Sequence, residues 1–103
     1  MKIIENLSDM IAEELDGAEH YIDCALKHKE ERRGLADVFY TISTEEMRHV
    51  NLLHTEVVKI IEQYRKEKGE PPTSMLAVYD YLHKKQIEKA GEVKAKQMLY
   101  KEQ

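Results

Sequence analysis

Residues 35–64 read LADVFYTISTEEMRHVNLLHTEVVKIIEQY. Apolar side chains recur in this stretch at spacings of three, four and seven, the period of one face of an α-helix. These positions are Leu35, Val38, Phe39, Ile42, Leu53, Val57, Ile60, Ile61 and Tyr64. Glu46 and His49 fill the central positions of the same stripe. The sequence therefore predicts one long helix over 35–68, about 50 Å in length, with two polar side chains on its apolar face.

The residues before this stretch predict a second helix. Its apolar positions are Ile3, Leu7, Ile11, Ala18, Tyr21, Ile22 and Ala25. Glu14 fills the gap between Ile11 and Ala18. The pattern fades in the charged run 29–33, and Gly34 is the predicted stop. A short connection favours an antiparallel hairpin of the two helices.

The residues after it predict a third helix over 75–100. Gly69-Glu70-Pro71-Pro72-Thr73-Ser74 breaks the pattern, because proline cannot continue a helix. The apolar side of the third helix is predicted to consist of Leu76, Tyr79, Leu82, Ile87, Ala90, Val93 and Met98. We therefore expect a single all-α domain: a helical hairpin with the metal ligands over 1–68, a linker over 69–74 and a C-terminal helix over 75–103.

Composition excludes several classes of function. The 103 residues are 42% hydrophobic and 35% charged, with mean hydropathy −0.65, and no apolar run reaches the roughly 18 residues of a membrane span. The first residues lack a signal-peptide core, so we expect a cytoplasmic protein. A net charge of −4 argues against a nucleic-acid partner. A single cysteine, Cys24, excludes an intrachain disulfide and a zinc ribbon.

Four side chains form a candidate metal constellation. Glu14 and Tyr21 are seven residues apart and share a helix face, as do Glu46 and His49 at a spacing of three. With a turn near Gly34, Glu14 lies 20 positions before it and Glu46 lies 12 after it. Ionised carboxylates on apolar stripes are costly to bury unless a cation pairs with them. We therefore predict Glu14, Glu46 and His49 as metal ligands.

Other interpretations of the same residues stay open. Ser43 to Glu46 also fits a capping box that would begin a new helix at 43. Glu14 fits a rim position that extends its carboxylate to water. Tyr21 fits either a core position or a hydroxyl that bonds to a ligand carboxylate and assists catalysis.

Accessory metal ligands are predicted at three further positions. Glu56 lies seven residues past His49 on the same face, Glu45 neighbours Glu46, and His83 lies on the margin of the third helix's apolar side.

The ligand inventory is half of what a di-iron bundle needs. Four-helix di-iron proteins take a Glu from each of two helices and a Glu-x-x-His from each of the other two. This chain carries each set once, so we expect two chains to pair face to face around one two-metal centre.

Glu14-x6-Tyr21 with Glu46-x-x-His49 resembles the iron-binding half of the ferritin and rubrerythrin superfamily, over roughly residues 2 to 68. The third helix carries Glu88 and Glu92 but no Glu-x-x-His. The chain is thus similar in plan to the half-ferritins of the encapsulated type. That resemblance implies two hairpins paired across a two-fold axis into a four-helix bundle, with Glu14, Glu46 and His49 of each chain as iron ligands. Since the chain lacks the four cysteines of a rubredoxin domain, an external electron donor is expected.

Two functions are therefore predicted. The first is a di-iron oxidoreductase of the ferroxidase type, or a rubrerythrin-like peroxide-reducing protein, that holds two irons per pair of chains and oxidises Fe(II) with oxygen or peroxide. The second is a structural or interaction protein without turnover, with zinc, manganese or iron at the same ligands. A homodimer or a larger even-numbered oligomer is expected for the first.

Overall fold

The protein is described by a computed structural model over residues 1–102. It consists of three helices, α1 (Lys2–His28), α2 (Arg33–Lys68) and α3 (Thr73–Glu102), and no strand is present in this range. The prediction of an all-α chain with a two-helix hairpin and a third helix is confirmed. Across the described residues, no helix combines the length and apolarity required to cross a bilayer.

The turn between α1 and α2 lies earlier than the sequence predicted. α1 ends at His28, and Gly34 lies in the first turn of α2. The prediction of Gly34 as the stop was wrong, because the chain turns within residues 29–32, where Arg32 leaves the helical conformation with a φ of −140° and a ψ of 69°. The Lys29 side chain in this turn is buried, and its ammonium donates to the carbonyl of Tyr100.

The earlier turn brings the predicted ligands level with each other. Glu14 lies 14 residues before the last residue of α1, and Glu46 lies 13 residues after the first residue of α2. The register offset expected from a turn at Gly34 is therefore absent. Each helix rises 1.5 Å per residue, so the two carboxylates sit at nearly the same height in the hairpin.

Small residues let α1 and α2 pack closely. Ala18, Ala25, Ala36 and Ser43 are completely buried, and the Ser43 hydroxyl donates to the Ala18 carbonyl at 2.7 Å. The larger buried side chains of the hairpin are Ile11, Leu15, Ile22, Met47, Val50 and Val57. α2 runs through Ser43 without a break, so the capping-box interpretation, with a new helix at 43, is wrong.

α2 ends where a backbone signal in the sequence requires it. Gly69 has a φ of +82°, which glycine adopts without a steric penalty. Its N–H donates to the carbonyl of Arg65 at 3.1 Å, and two prolines follow. α3 then begins at Thr73 and returns along the hairpin.

α3 packs along one side of the hairpin through mixed polar and apolar contacts. Val93 is fully buried, whereas Ile87 and Met98 are 59% and 62% exposed. The predicted apolar side of α3 was wrong at these two positions, because its inward stripe includes Gln86 and Gln97. These two amides donate to Ser8 and Ser43 at 3.0 and 2.9 Å.

Ion pairs and stacked rings complete this contact. Lys89 pairs with Glu19 at 2.7 Å and Lys96 with Asp23 at 2.8 Å, while the ring of Tyr40 stacks on that of Tyr100 at 5.0 Å.

Candidate metal centre

Three side chains meet halfway along the hairpin and are called here the acid–histidine cluster: Glu14, Glu46 and His49. Each offers one ligand atom, and these atoms all lie within 4.8 Å of one another. Nδ1 of His49 lies 3.2 Å from Oε2 of Glu14. Among residues 1–102, no other group of three His, Cys, Asp or Glu side chains comes as close together. The cluster unites the ligands predicted from both helices.

The two carboxyl groups perturb each other. A hydrogen bond with Glu14, partial burial and repulsion from the Glu14 charge together raise the pKa of Glu46. The same hydrogen bond with Glu46, and the contact with His49, lower the pKa of Glu14, although partial burial opposes them. Two acids that share a proton in this way form an unfavourable pair when both are ionised. A divalent cation in the proton's place relieves that repulsion.

Gly17 provides the space for the Glu46 carboxylate. A Cβ atom at position 17 would lie 3.4 Å from Oε2 and 3.5 Å from the carboxyl carbon of Glu46. The backbone of α1 therefore forms a wall against which the Glu46 head packs, and a longer side chain at position 17 would displace it. Sequence reasoning did not identify Gly17; a lone glycine inside a helical pattern, one turn from Glu14, is the signal that marks it.

The cluster lies on the side of the hairpin opposite α3. Glu14 and Asp23 are nine residues apart, as are His49 and Tyr40, and nine residues place two side chains on opposite sides of a helix. Asp23 and Tyr40 both contact α3. The side chains of Glu14 and His49 retain 29% and 43% of their exposure. We call the side with the cluster the open face and the side under α3 the covered face.

Tyr21 lies on the open face, seven residues or about two helical turns along α1 from Glu14. Its ring packs against Phe39 at 6.1 Å and against His20 at 5.6 Å. Tyr21 is half-buried, and these contacts do not decide between its two interpretations. A catalytic role for its hydroxyl stays a prediction.

The three accessory candidates lie outside the acid–histidine cluster. Glu56 pairs with Lys59 and Glu45 with Arg48, both at 3.3 Å and both exposed. His83 stacks on His54 between α2 and α3. The structure therefore groups Glu14 with Glu46 and His49 and leaves these three side chains in other surroundings.

The rim interpretation of Glu14 stays open, because its side chain keeps 29% of its exposure on the open face. Its carboxylate also contacts His49 and shares a hydrogen bond with Glu46.

Comparisons of this chain with protein-family models, with curated proteins and with solved structures found no match. The resemblance to half-ferritins therefore rests on four residues and their helical context, and it stays a prediction.

Proposed function

We propose that this chain is a ferritin-like half-bundle that pairs with a second copy and oxidises Fe(II) at a di-iron centre between the two chains. The observation that carries the proposal is the acid–histidine cluster: three convergent ligand atoms, half exposed, on the face of the hairpin that α3 leaves open.

The donor set fits iron. Two carboxylates and one imidazole bind Fe(II), Mn(II) and Zn(II), whereas thiolate-preferring ions find no sulfur in the cluster. Gly17 leaves room for the Glu46 carboxylate to turn toward an ion. The raised pKa of Glu46 marks an excess of negative charge that a cation would neutralise.

One chain holds too few ligands for two ions. Di-iron bundles use four carboxylates and two imidazoles, and the cluster supplies two and one. A second copy related by a two-fold axis would supply the remainder, since an isologous contact presents the same patch from both sides.

The open face carries apolar side chains suited to such a contact. Ile3, Met10, Leu35 and Val38 flank the cluster along α1 and α2, and they are 42% to 53% exposed. Ile3 and Met10 continue the stripe of Glu14 at spacings of seven and four. Leu35 and Val38 lead through Ile42 to Glu46 on α2. Apolar surface on both sides of half-buried polar ligands is the expected composition of an interface that buries a metal.

Glu14, Glu46 and His49 of each chain would hold two Fe(II) ions, and the bound pair would supply the two electrons that, with two protons, reduce one O₂ to H₂O₂ or one H₂O₂ to two waters. The chain's own residues would hold the two ions and neutralise their positive charge. Glu14 and Glu46 supply negative charge that favours the more highly charged product. The contact between Glu14 and Nδ1 of His49 orients the imidazole ring. It leaves Nε2 as the ring nitrogen without this contact. In the paired form, the apolar side chains around the cluster would exclude water.

Native mass spectrometry of the metal-free protein before and after anaerobic Fe(II) addition tests the proposal. We expect two irons per two chains, and oxidation of both on addition of one equivalent of oxidant. Glu46→Ala is expected to lose the iron. Glu45→Ala is the matched control, because Glu45 is an exposed neighbour paired with Arg48.

Other outcomes distinguish the alternatives. Iron or zinc uptake without consumption of oxidant would favour the structural metal protein. A monomer that binds one ion would contradict the paired centre. No uptake by the wild type would contradict both functions.

A further inference from the structure

Three rings stack between α2 and α3 on the covered face. His54 of α2 lies on His83 of α3 with ring centroids 4.7 Å apart and planes 15° from parallel. Tyr79 of α3 continues the stack, 5.6 Å from His83 and at 20°. We call these three residues the histidine stack. It is one of two ring contacts between α2 and α3, the other being Tyr40 on Tyr100 at the opposite end.

His54 is held in an environment that suits only the neutral ring. Its Nε2 is buried and has no hydrogen-bond partner among residues 1–102. Burial, and then the charge of His83, lower the pKa of His54. A protonated His54 would place an unpaired N–H and a charge in this position, which is unfavourable away from water.

No carboxylate lines the two cavities that His54 borders. From α1, the lining side chains are Ile4, Ser8 and Ile11; α2 adds Val50, Asn51 and Val57. From α3, the polar lining groups besides the stack are Gln86 and the cationic Lys94. Burial, and then the charge of Asp80, raise the pKa of Tyr79, and Asp80, Glu62 and Arg65 line the neighbouring cavity beside Tyr79. Within the two cavities that His54 itself borders, its protonation meets only neutral or positive side chains.

The two halves of α3 are attached differently. The C-terminal half is fixed to α1 and α2 by Lys96 with Asp23 and by Tyr100 with Asp37. Before Lys89, the polar attachment of α3 to the hairpin includes the Gln86 amide on Ser8. The stack is thus a principal contact of the N-terminal half with α2.

We propose that the histidine stack is an acid-sensitive latch, which holds residues 73–88 of α3 against α2 when both imidazoles are neutral and releases them when both are protonated. The C-terminal half of α3 stays docked, so the opening is local. It exposes the apolar surface of Ile11 and Val57 beneath the stack.

The direction of the pH effect on this contact follows from the lowered pKa of His54. Above the ordinary histidine value of 6.5, both the folded and unfolded forms are neutral and the contact contributes fully. As the pH falls below that value, the unfolded or opened form binds the proton first, and stability of the contact is lost. The latch is therefore closed at neutral pH and opens in mild acid.

Two NMR measurements on the metal-free protein, kept in chelator, test the latch. The first follows the ring protons of all five histidines through a pH titration. We expect His54 to titrate below His20, which is exposed.

The second measures amide exchange after correction for its intrinsic pH dependence. Protection of residues 76–84 is expected to fall several-fold from about pH 7.5 to about pH 5, because the opened form binds protons more tightly than the closed form. Protection of residues 93–100 should change little.

Variants separate protonation from packing. His54→Phe and His83→Phe keep a ring in the stack and remove its charge, so protection of 76–84 should become independent of pH. His20→Asn is the control and should behave as the wild type.

The latch is overturned if His54 titrates at or above His20, or if protection of 76–84 does not fall in acid. An equal fall in His54→Phe and in the wild type would also overturn it. Metal is absent throughout, so these outcomes are independent of the proposed iron centre.

Discussion

The covered face and the open face of the α1–α2 hairpin treat polar groups in opposite ways. On the covered face, several polar side chains of the hairpin pair with side chains of α3: Ser8 with Gln86, Ser43 with Gln97, Glu19 with Lys89. On the open face, Glu14 and Glu46 have only each other and His49. The same two helices thus satisfy their polar groups internally on one side and leave two acids in competition on the other. The difference supports the proposal that a second copy and metal ions complete the open face.

The largest expected effect concerns the core under α3. Leu15→Ala removes a side chain that is 2% exposed and should lower the free energy of unfolding by about 2–5 kcal/mol. Met98→Ala is the control, since Met98 is 62% exposed on α3, and it should change stability by no more than about 0.5 kcal/mol. Urea unfolding followed by far-UV circular dichroism measures both. Equal losses of unfolding free energy in the two variants would mean that α3 does not pack on the hairpin as described.

The next prediction concerns a charged substitution on the open face. Val38 and Val78 are both exposed, at 53% and 60%, but Val38 lies on the open face and Val78 on α3. Val38→Lys should raise the dissociation constant of the proposed dimer about 100-fold, because a two-fold contact buries each new charge twice. Val78→Lys should leave it unchanged. Sedimentation velocity measures both, and the reverse result would place the interface on α3.

A smaller effect is expected at the wall of the cluster. Gly17→Leu should displace the Glu46 carboxylate and weaken Fe(II) binding about tenfold or more, the range found for residues that orient metal ligands. Gly91→Leu is the matched control, since a Cβ atom there meets nothing within 4 Å. Anaerobic calorimetric titration measures the two affinities. Equal Fe(II) affinities of the two variants would mean that Gly17 does not position the Glu46 carboxylate.

The smallest effect concerns the covered face and pH. The hydrogen bond from Lys89 lowers the pKa of Glu19 below 4.5, so this pair stabilises the fold above that pH and the contribution is lost as pH falls through the folded pKa. Glu19→Gln should cost about 1 kcal/mol or less at neutral pH and nothing in strong acid. Unfolding midpoints measured across pH check this. Asp16→Asn should cost less still, because Asp16 is 76% exposed.

Part of the site was predictable because helical spacing is a local property. A spacing of three places Glu46 and His49 on one face whatever the surroundings, and Glu14 occupies a central position on the apolar stripe of the neighbouring helix. The turn was predicted wrongly, because Gly34 is a stronger local stop signal than the charged residues before it. The Lys29 side chain in the turn contacts Tyr100, 71 residues away, a contact that no local pattern contains.

The phase of α3 was also beyond local reasoning. Ile87 and Met98 fit an apolar stripe by spacing, yet Gln86 and Gln97 face inward, because Ser8 and Ser43 offer hydrogen bonds there. The pattern of α3 alone carries no record of those partners. The roles of Gly17 and His54 were missed for the same reason: each depends on a side chain from another helix.

The sequence by itself determined the helical class, the three helices, the break at Gly69 and the grouping of Glu46 with His49, since each follows from backbone geometry within a few residues. Only the tertiary structure decided the register that brings Glu14 to 3.2 Å from His49, the face that α3 covers and the face that it leaves open. Those depend on contacts between residues far apart in the chain, whose energies no local pattern contains.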